Sequence, residues 1–277
     1  MNESTSTASY ICPICQNLLV KQSAYICENN HCFDIAKQGY VNLLPVQQKK
    51  SKHPGDNKIM IQKRKFFLEQ GFYHAITSHC VEIIKNHSIE NKTITILDIG
   101  CGDGYFTRNI VDNSHTPVDM YGLDISKEAI KIAAKSSTKV QWLVASSKII
   151  PLANNSIDII LKINSPLDYQ STKQKLSNHG IIISVVPGSN HLKQLKSHIY
   201  DTVKLHEPEK TPDGYNLAHQ DKVHDTLVLE NNQTIDSLFK MTPYFWNASS
   251  DAKQHLEKLV TLETEIAFDF NVWRPET

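Results

Sequence analysis

From residue 93 onward, apolar positions follow two alternating patterns. Short apolar runs predict strands over 93–99, 120–123, 140–144, 157–162 and 180–185. Over 105–113 and 127–135, apolar residues recur every three or four positions, which predicts helices. Because strands that alternate with helices build parallel sheets, the pattern predicts an α/β fold with helices on both faces of the sheet.

The same periodicity predicts elements on either side of this region. Residues 59–70 have a helical pattern that ends at Gly71, a residue type that often follows a helix end. A second helix is predicted from residue 72 to about 87. Near the C-terminus, 225–230 and 261–270 are predicted to form a strand pair around a helix over 234–241.

The first ninety residues have a different character. Residues 1–9 are rich in Ser and Thr and are predicted to be disordered, while 10–45 carry four of the six cysteines and no long helical period. A polar, basic stretch with a Pro-Gly pair follows over 46–58, as is typical of linkers. We therefore divide the chain into a small module over 1–45, a linker with helices over 46–90, and an α/β domain over 91–277.

A glycine-rich turn follows the first predicted strand of the α/β domain. Gly100, Gly102 and Gly104 lie in the run LDIGCGDGY at 97–105, and Asp124 follows Gly104 by 20 residues. Glycine lacks the Cβ that would keep a ligand from the backbone N–H groups, and the start of the next helix favours a carboxylate or phosphate. An acid at this offset commonly binds the two ribose hydroxyls. The turn therefore predicts a cofactor with an adenosine half, with Asp124 at its ribose.

The glycine spacing argues against a dinucleotide. Nicotinamide-binding turns have the order G-x-G-x-x-G, whereas this chain has G-x-G-x-G, with Asp103 where a pyrophosphate would lie. The pattern resembles the first motif of class I S-adenosylmethionine-dependent methyltransferases. That resemblance implies that Asp98 lies near the amino-acid end of the cofactor, directly or through water, and that Asp124 binds the ribose. An acid often follows the third strand in this family and contacts the adenine, but this chain has Ser146 there.

Cysteines near the N-terminus have the spacing of zinc ligands. Cys12 and Cys15 form a C-x₂-C pair, Cys27 and His31 form a C-x₃-H pair, and Cys32 is adjacent. Zn²⁺ takes four nitrogen or sulfur ligands in structural sites, and a segment of about 35 residues buries too little core to fold without such support. The spacing leaves the fourth ligand open between His31 and Cys32. A redox-active pair and free thiols are the alternatives to a metal site.

Composition and charge add a smaller constraint. The chain has 29 basic and 29 acidic residues, so no overall positive charge points to nucleic acid. Residues 1–65, however, hold nine basic and four acidic residues, a net charge of +5. The polar start argues against a secretory signal, and no run approaches the roughly 20 apolar residues of a membrane helix. We therefore expect a cytoplasmic protein with no membrane contact and with reduced cysteines.

Longer motifs connect the cysteine module with the glycine turn. They include Cys12-Pro-Ile-Cys15, Phe33-Asp-Ile-Ala-Lys-Gln-Gly-Tyr40, Pro54-Gly-Asp56, Gly122-Leu-Asp-Ile-Ser126, Val144-Ala-Ser-Ser147, Pro187-Gly188 with His191-Leu192, and Met241-Thr-Pro243 with Trp246. In this order, and from Cys12 to Trp273, the chain resembles the bacterial 23S rRNA (guanine-N1)-methyltransferases of the RlmA type. The resemblance is closest to the Gram-negative branch, which modifies hairpin 35.

The resemblance implies a fold, a reaction and a set of ligands. The fold is a class I, Rossmann-like methyltransferase domain with a small N-terminal zinc-binding module. The expected reaction transfers the methyl group of S-adenosylmethionine to N1 of a guanine in 23S rRNA. One structural Zn²⁺ is expected on Cys12, Cys15, Cys27 and His31. Together with the glycine turn, the resemblance gives cofactor contacts at Tyr73, Asp98, Gly100, Gly102, Asp103, Asp124 and His191.

Several of these implications do not follow from the residues by themselves. Without the resemblance, Tyr73 is typical of a core aromatic on a helix, and His191 of a surface residue. A homodimer is likewise implied by the resemblance alone.

The chain departs from the family on the substrate side of the sheet. The turn before the fifth strand is Ser177-Asn-His-Gly180 instead of Lys-Pro-Gly-Gly, and Asn164-Ser-Pro166 replaces Tyr-Ala-Pro after the fourth. No general base is assigned, and the conceivable acids are Asp34, Asp56, Asp158 and Asp168. Candidates for stacking on RNA bases are Phe33, Tyr40 and Trp246, and Lys49, Lys50 and Lys52 would meet phosphates.

Three alternatives to this function stay open: methylation of a different rRNA base, methylation of a small molecule, and a zinc-containing RNA-binding protein without activity. A small-molecule enzyme has no need of a zinc module or a basic linker. The complete set of glycines and aspartates in the turn argues against an inactive fold. If the N-terminal module binds rRNA and the C-terminal domain holds the cofactor, deletion of residues 1–45 should abolish methylation and preserve cofactor affinity.

Overall fold

The computed structural model describes residues 8–45, 58–88 and 92–276. Predictions for the first seven residues and for the basic linker, including Lys49, Lys50, Lys52 and Asp56, lie outside these ranges. Within them, no helix combines the length and the apolar character that crossing a membrane requires.

The described chain begins with a small β-rich module. Its strands β1 (Val20–Lys21), β2 (Ala24–Ile26) and β3 (Cys32–Asp34) form a three-stranded antiparallel sheet. Two helices follow the module, α1 (Lys58–Glu69) and α2 (His74–His87), close to the predicted bounds. Gly71 lies between them with φ 82°, the left-handed conformation that suits a residue after a helix end.

Strands and helices alternate in the main domain, as the sequence predicts. Its elements are β5 (Ile94–Ile99), α3 (Tyr105–Asn113), β6 (Val118–Asp124), α4 (Lys127–Ser136), β7 (Val140–Val144), β8 (Ile157–Ile163), α5 (Tyr169–Lys173), β9 (Leu176–Pro187) and α6 (Lys193–Ser197). The C-terminal part adds β10 (Tyr215–Leu229), α7 (Asn232–Lys240), α8 (Tyr244–Asn247), α9 (Ser250–Lys258) and β11 (Leu262–Pro275).

One eight-stranded sheet organises the main domain, with β4 (Val41–Asn42) at one edge and the order β10-β11-β9-β8-β5-β6-β7-β4. Strands from β9 to β4 run parallel, whereas β11 and β10 are antiparallel additions. The central strand β5 is buried along its whole length, because helices cover both faces of a parallel sheet. The chain passes from β5 to β6 on one side and later returns to β8 on the other, so the strand order reverses at the β5–β8 pair.

The terminal strand pair is confirmed, but it is much longer than the apolar pattern indicates. β10 and β11 span 15 and 14 residues and pair over almost their full length. β10 lies at the sheet edge, where polar side chains such as His219, His224 and Asp225 are exposed. An apolar pattern cannot reveal such a strand. The apolar pattern also does not predict α5, α6, α8 and α9, which are short or strongly polar.

The N-terminal module packs directly on the main sheet. Its last strand, β4, pairs in parallel with β7, and a β-bridge joins Tyr10 to Leu152. The hydroxyl of Tyr121 donates a hydrogen bond to the carbonyl of Ala8 at 2.8 Å. A boundary at residue 45 therefore assigns a strand of the main sheet to the first module, and the division into domains stays a prediction.

Candidate cofactor cavity and metal centre

A cavity of about 970 Å³ opens at the carboxyl ends of the parallel strands. It lies across the β5–β8 switch point, the place where open α/β sheets bind ligands. Residues after β5, β6 and β7 line one half, which we call the cofactor half. Residues after β8 and β9, together with His206 and α8, line the other, the acceptor half. The volume is at the top of the roughly 300–1,000 Å³ range of ligand sites, so a cofactor and part of an acceptor fit together.

The glycine turn forms the floor of the cofactor half. Gly100, Gly102 and Gly104 have φ values of 75°, 58° and 80°, in the left-handed region that favours glycine. A Cβ on Gly100 would lie 2.4 Å from the Cβ of Ser165, in the loop after β8. This turn therefore needs glycine both for its conformation and for its close contact with the neighbouring loop.

Asp124 lies at the end of β6, against the glycine turn. Its carboxylate accepts hydrogen bonds from the N–H of Gly102 at 2.9 Å and from the N–H of Ser126 at 2.7 Å. These charge-assisted bonds hold the carboxylate in the cavity wall. A carboxylate has about four acceptor sites, so Asp124 can also accept from ribose hydroxyls, as the sequence predicts.

Asp103 lies in the cavity wall and is buried. Burial raises the pKa of Asp103, and the guanidinium of Arg64 opposes that shift. Arg64 comes from α1 and also lines the cavity, and its guanidinium donates to the carbonyl of Met241 at 3.4 Å. Arg64 is not among the predicted site residues, because an arginine on an amphipathic helix is typical of a solvent-exposed face.

Asp98 is not part of the described cavity wall. Its side chain is buried beneath the turn and accepts a hydrogen bond from the Thr107 hydroxyl of α3 at 2.6 Å. Burial raises the pKa of Asp98 to about 7, in spite of that hydrogen bond. The structure thus places Asp98 where it ties β5 to α3, whereas the resemblance implies a position at the amino-acid end of the cofactor.

Tyr73 and His191 lie side by side in the cavity wall, with ring centroids 6.2 Å apart. The Tyr73 hydroxyl is buried and finds no hydrogen-bond partner among the described residues. The Nδ1 atom of His191 accepts a hydrogen bond from the N–H of Ala267 at 3.3 Å, and burial lowers the pKa of His191 to about 3. His191 is therefore a neutral imidazole with its proton on Nε2. At 5% exposure it is not the surface residue that its local sequence suggests.

These features fit S-adenosylmethionine. The unpartnered Tyr73 hydroxyl calls for a polar ligand group, and the glycine turn leaves backbone space for one. Asp103 and Asp124 suit a ligand that carries positive charge and ribose hydroxyls, and they would repel a pyrophosphate. Ser146 also lines the cavity after β7, where the adenine contact is expected.

Loops with little periodic sequence pattern build the acceptor half. Asn164 has φ 51°, and the Ser165 hydroxyl donates to the carbonyl of Ile99 at 2.5 Å, which ties the loop after β8 to β5. Across from them, Nε2 of His206 lies 3.1 Å from the hydroxyl of Tyr244. His206 was missed because its segment has no periodic pattern. Tyr244 directly follows the Met-Thr-Pro motif, which was its only sequence signal.

None of the described aspartates that were conceivable bases lines the cavity. Asp158 is at the start of β8, at the opposite end of the sheet, and accepts from Lys92 and Ser177. Asp168 is the N-cap residue of α5, and Asp34 is exposed on β3. These three aspartates are therefore not placed to receive a proton from a ligand in the cavity.

The predicted metal ligands Cys12, Cys15, Cys27 and His31 converge in the N-terminal module. Their ligand atoms all lie within 4.8 Å of one another. Nδ1 of His31 is 3.5 Å from Sγ of Cys12 and 3.4 Å from Sγ of Cys27, and the Sγ atoms of Cys15 and Cys27 are 3.6 Å apart. A zinc tetrahedron with bonds of about 2.3 Å has edges of about 3.8 Å, close to these distances. Cys32 is exposed on β3 and outside this described group, so the geometry favours His31 as the fourth ligand.

The aromatic residues considered for RNA stacking lie in different surroundings. Tyr40 is 4% exposed and belongs to the hydrophobic core, and Phe33 is partly buried. Trp246 is 54% exposed on α8, two residues after Tyr244 of the cavity wall. Trp246 is therefore the candidate whose ring can meet a base.

Comparisons with known proteins match both parts of the chain. A family model described as the RlmA N-terminal zinc ribbon matches residues 10–52, and one described as a methyltransferase domain matches residues 96–179. YxjB of Bacillus subtilis, provisionally named a 23S rRNA (guanine-N1)-methyltransferase, is 28% identical over 97% of this chain and 98% of its own length. A Streptomyces fradiae relative, named 23S rRNA (guanine(748)-N1)-methyltransferase, is 25% identical over 95% of this chain and 96% of its own.

A structural match is more distant. A chain of the complex between the Haloferax volcanii Trm112 methyltransferase activator and a methyltransferase aligns with a TM-score of 0.48 and 15% identity. The alignment covers 80% of this chain and 100% of that chain.

The matched ranges coincide with the two sites. The first holds the four converging metal ligands, and the second begins in β5 and contains the glycine turn and Asp124. The mainly parallel sheet and its switch-point cavity have the class I methyltransferase architecture. The chain is therefore a class I S-adenosylmethionine-dependent methyltransferase with an N-terminal zinc ribbon of the RlmA type.

Proposed function

We propose that this protein transfers the methyl group of S-adenosylmethionine to N1 of a guanine in 23S rRNA, in the hairpin 35 region. The observation that carries the proposal is that one chain combines an RlmA-type zinc ribbon with a methyl-donor cavity that has an open acceptor half. Relatives with guanine-N1-methyltransferase names align with the chain over almost its full length. A small-molecule methyltransferase would need no such ribbon.

The proposed cofactor contacts follow from the cavity wall. When bound, S-adenosylmethionine supplies an electrophilic methyl group on its sulfonium. Asp124 accepts from the ribose hydroxyls, and Asp103 faces the amino-acid end of the cofactor. Tyr73 and His191 are neutral donors that suit the cofactor carboxylate. The buried Tyr73 hydroxyl thereby gains the partner that it lacks within the described residues.

Access to guanine N1 requires that the base leave its pair, because N1 lies on the Watson–Crick edge. Enzymes that act on such atoms extrude the base into a pocket and stack it on aromatic side chains. The acceptor half provides the pocket, and Trp246 provides an exposed aromatic surface on the adjoining helix.

The zinc ribbon has two proposed roles: the metal stabilises its fold, and its surface contacts the rRNA. The metal holds a module whose strands have only two or three residues each. Ile14, Leu18 and Val20 are more than half exposed on this module and offer apolar surface to a partner. The net charge of +5 in residues 1–65 comes from the segment after the module, because residues 46–65 hold seven basic residues and one acidic residue. That segment suits the phosphates of a nucleic acid. We also propose a cytoplasmic location and, from the family resemblance alone, a homodimer.

The test is methyl transfer from tritiated S-adenosylmethionine to defined acceptors. The acceptors are 23S rRNA from cells that lack the gene, 16S rRNA from the same cells, and a small-molecule extract. Label on 23S rRNA, strongly reduced with Asp124→Asn at subsaturating S-adenosylmethionine, is the expected result. Label only in the small-molecule fraction would support a small-molecule methyltransferase. No label on any acceptor would support a zinc-containing RNA-binding protein without activity.

A further inference from the structure

His206 and Tyr244 face each other in the acceptor half of the cavity. His206 belongs to the segment between α6 and β10, and its backbone N–H donates to the carbonyl of Ser189 at 3.1 Å. Its Nε2 atom lies 3.1 Å from the hydroxyl of Tyr244 on α8. Contacts from two different elements thus fix the imidazole in the wall where the acceptor would lie.

The two carboxylates of the described wall, Asp103 and Asp124, already have partners, and so does Lys162. Asp124 is held at the ribose end of the cofactor half, and Asp103 faces the guanidinium of Arg64. Lys162 forms a buried ion pair with Glu209 at 2.7 Å. These groups stabilise charge or bind the cofactor, and none of them offers an unoccupied base beside the acceptor.

Neutral groups of the wall are also poor proton acceptors, apart from His206. The Nδ1 of His191 is occupied by the N–H of Ala267, and its Nε2 carries the ring proton. Burial raises the pKa of Tyr244 to about 12, so its hydroxyl keeps its proton at neutral pH. Burial raises the pKa of Tyr73 still further.

We propose that His206 accepts the proton that leaves guanine N1 during methyl transfer, and that Tyr244 positions its ring. This proposal rests on the function proposed above. The bond between N1 and the methyl carbon forms while the bond between sulfur and that carbon breaks, which gives S-adenosylhomocysteine. In the tautomer in which Nε2–H of His206 donates to the Tyr244 hydroxyl oxygen, Nδ1 is unprotonated and is occupied by no described residue. The N1 proton moves to this Nδ1, and the resulting imidazolium releases it to water after the product leaves.

The surroundings of His206 suit a base that must be unprotonated at neutral pH. The titratable groups that face the ring are His191 after β9, Lys196 on α6 and Tyr244 on α8. Burial lowers the pKa of His206 below the ordinary histidine range, and the Lys196 cation lowers it further. The ring is therefore neutral at pH 7, and the rate should fall only when acid protonates it.

The experiment is single-turnover methylation of 23S rRNA across the pH range, with wild-type protein and H206Q. We expect H206Q to slow methyl transfer by about 10²- to 10⁴-fold, the usual contribution of a general base. Dissociation constants for S-adenosylmethionine and for rRNA should stay within about threefold of wild type, because neither ligand depends on the proton transfer. The acid limb of the wild-type pH profile should be absent in H206Q.

Two further variants separate proton transfer from a structural effect. Tyr244→Phe removes only the positioning contact, so it should lose less rate than H206Q and keep the acid limb. Free imidazole should restore part of the rate of H206A, because it can enter the space left by the ring.

The outcomes distinguish this proposal from the proposed function. Wild-type protein that forms 1-methylguanosine while H206Q stays within threefold of its rate at every pH would overturn the assignment of His206 alone. Failure of imidazole to raise the rate of a folded, ligand-binding H206A would also count against it. Wild-type protein that labels no guanine N1 would overturn both.

Discussion

Asp98 and Asp124 lie near the ends of neighbouring strands, yet their surroundings give them different tasks. Asp124 holds two backbone N–H groups at the cavity, where a charged carboxylate is useful. Asp98 is buried under the glycine turn and bonded to Thr107, where charge is costly. At the scale of single residues, burial and partners therefore decide what an acid in a motif does.

Substitution of Asp124 should weaken cofactor binding while the protein still folds. Asp124→Asn keeps the size of the side chain but loses the charge and one of the two acceptor oxygens, so the hydrogen bonds that the carboxylate makes are weakened or lost. We expect the dissociation constant for S-adenosylmethionine to rise by about 10- to 100-fold, as for loss of a charged hydrogen bond. Isothermal titration calorimetry measures this, with rRNA affinity as the control. An unchanged dissociation constant would remove Asp124 from the cofactor site.

Burial of Asp98 should make stability depend on pH. The pKa of Asp98 in the folded protein is about 7, above its value in the unfolded chain, so folding binds a proton between about pH 4 and 7. Its contribution to the free energy of unfolding is complete below about pH 4 and is lost as pH rises towards 7.

Comparison of wild type with Asp98→Asn isolates this contribution. Between pH 5 and 8, wild type should lose about 2–3 kcal/mol relative to the variant in urea unfolding. A difference that does not vary with pH would show that Asp98 is ionised in the folded protein.

How much of the site could be predicted from sequence depends on how far apart its residues lie along the chain. The glycine turn, Asp124 and the metal ligands come from short segments, where spacing along the chain fixes spacing in space. Arg64 and His206 reach the cavity from distant segments, and nothing in their local sequence indicates where those segments pack. Tyr73 and His191 were predicted only through the family resemblance.

At the scale of elements, α8 connects the cavity with the surface. This helix has only four residues. Tyr244, its first residue, lines the cavity, and Trp246, two residues further on, is 54% exposed. The indole N–H donates to the sulfur of Met60 at 3.2 Å, which orients the ring. Such an arrangement suits an aromatic surface for a base at the cavity mouth.

Removal of the indole should weaken RNA binding alone. Trp246→Ala should raise the dissociation constant for 23S rRNA by about 5- to 100-fold, since stacking contributes about 1–3 kcal/mol per base. Affinity for S-adenosylmethionine should not change. Val260→Ala is a matched control, because Val260 is 69% exposed and outside the described cavity wall. Equal rRNA affinity for both variants would exclude Trp246 from the interface.

The zinc ribbon is the second element whose role can be isolated. Cys12→Ser removes a ligand from the converging group, whereas Cys32→Ser changes an exposed thiol next to it. We expect Cys12→Ser to lose its zinc and about 4 kcal/mol or more of stability, as for other lost metals. Cys32→Ser should keep one zinc per chain and the wild-type melting temperature. Loss of zinc from Cys32→Ser would instead make Cys32 the fourth ligand.

For the whole molecule, the ribbon and the main domain share one sheet. β4 pairs with β7, and the residues that follow β7 line the cofactor half of the cavity. Deletion of residues 1–45 removes β4, so the structure gives a reason to expect lower cofactor affinity, contrary to the expectation from sequence. Substitution of a zinc ligand is therefore the cleaner way to remove the function of the ribbon.

The central strands of the sheet could be predicted from sequence more completely than its edge strands. The parallel strands around β5 are buried on both faces, and their continuous apolar runs are visible along the chain. β10 and β4 are edge strands that owe their conformation to a neighbour, so their own sequences carry little signal. The same holds for the packing of the ribbon on the sheet, which depends on contacts between distant residues such as Tyr10 and Leu152.

In the proposed reaction, one guanine of 23S rRNA receives a methyl group at N1. The most direct measurement is nucleoside mass spectrometry of 23S rRNA treated with the protein, combined with mapping of reverse-transcription stops, because a methyl group at N1 blocks the pairing edge. We predict one new 1-methylguanosine, located in the hairpin 35 region and strongly reduced with Asp124→Asn at subsaturating S-adenosylmethionine. A methyl group on another base, or 23S rRNA without any 1-methylguanosine, would contradict the account.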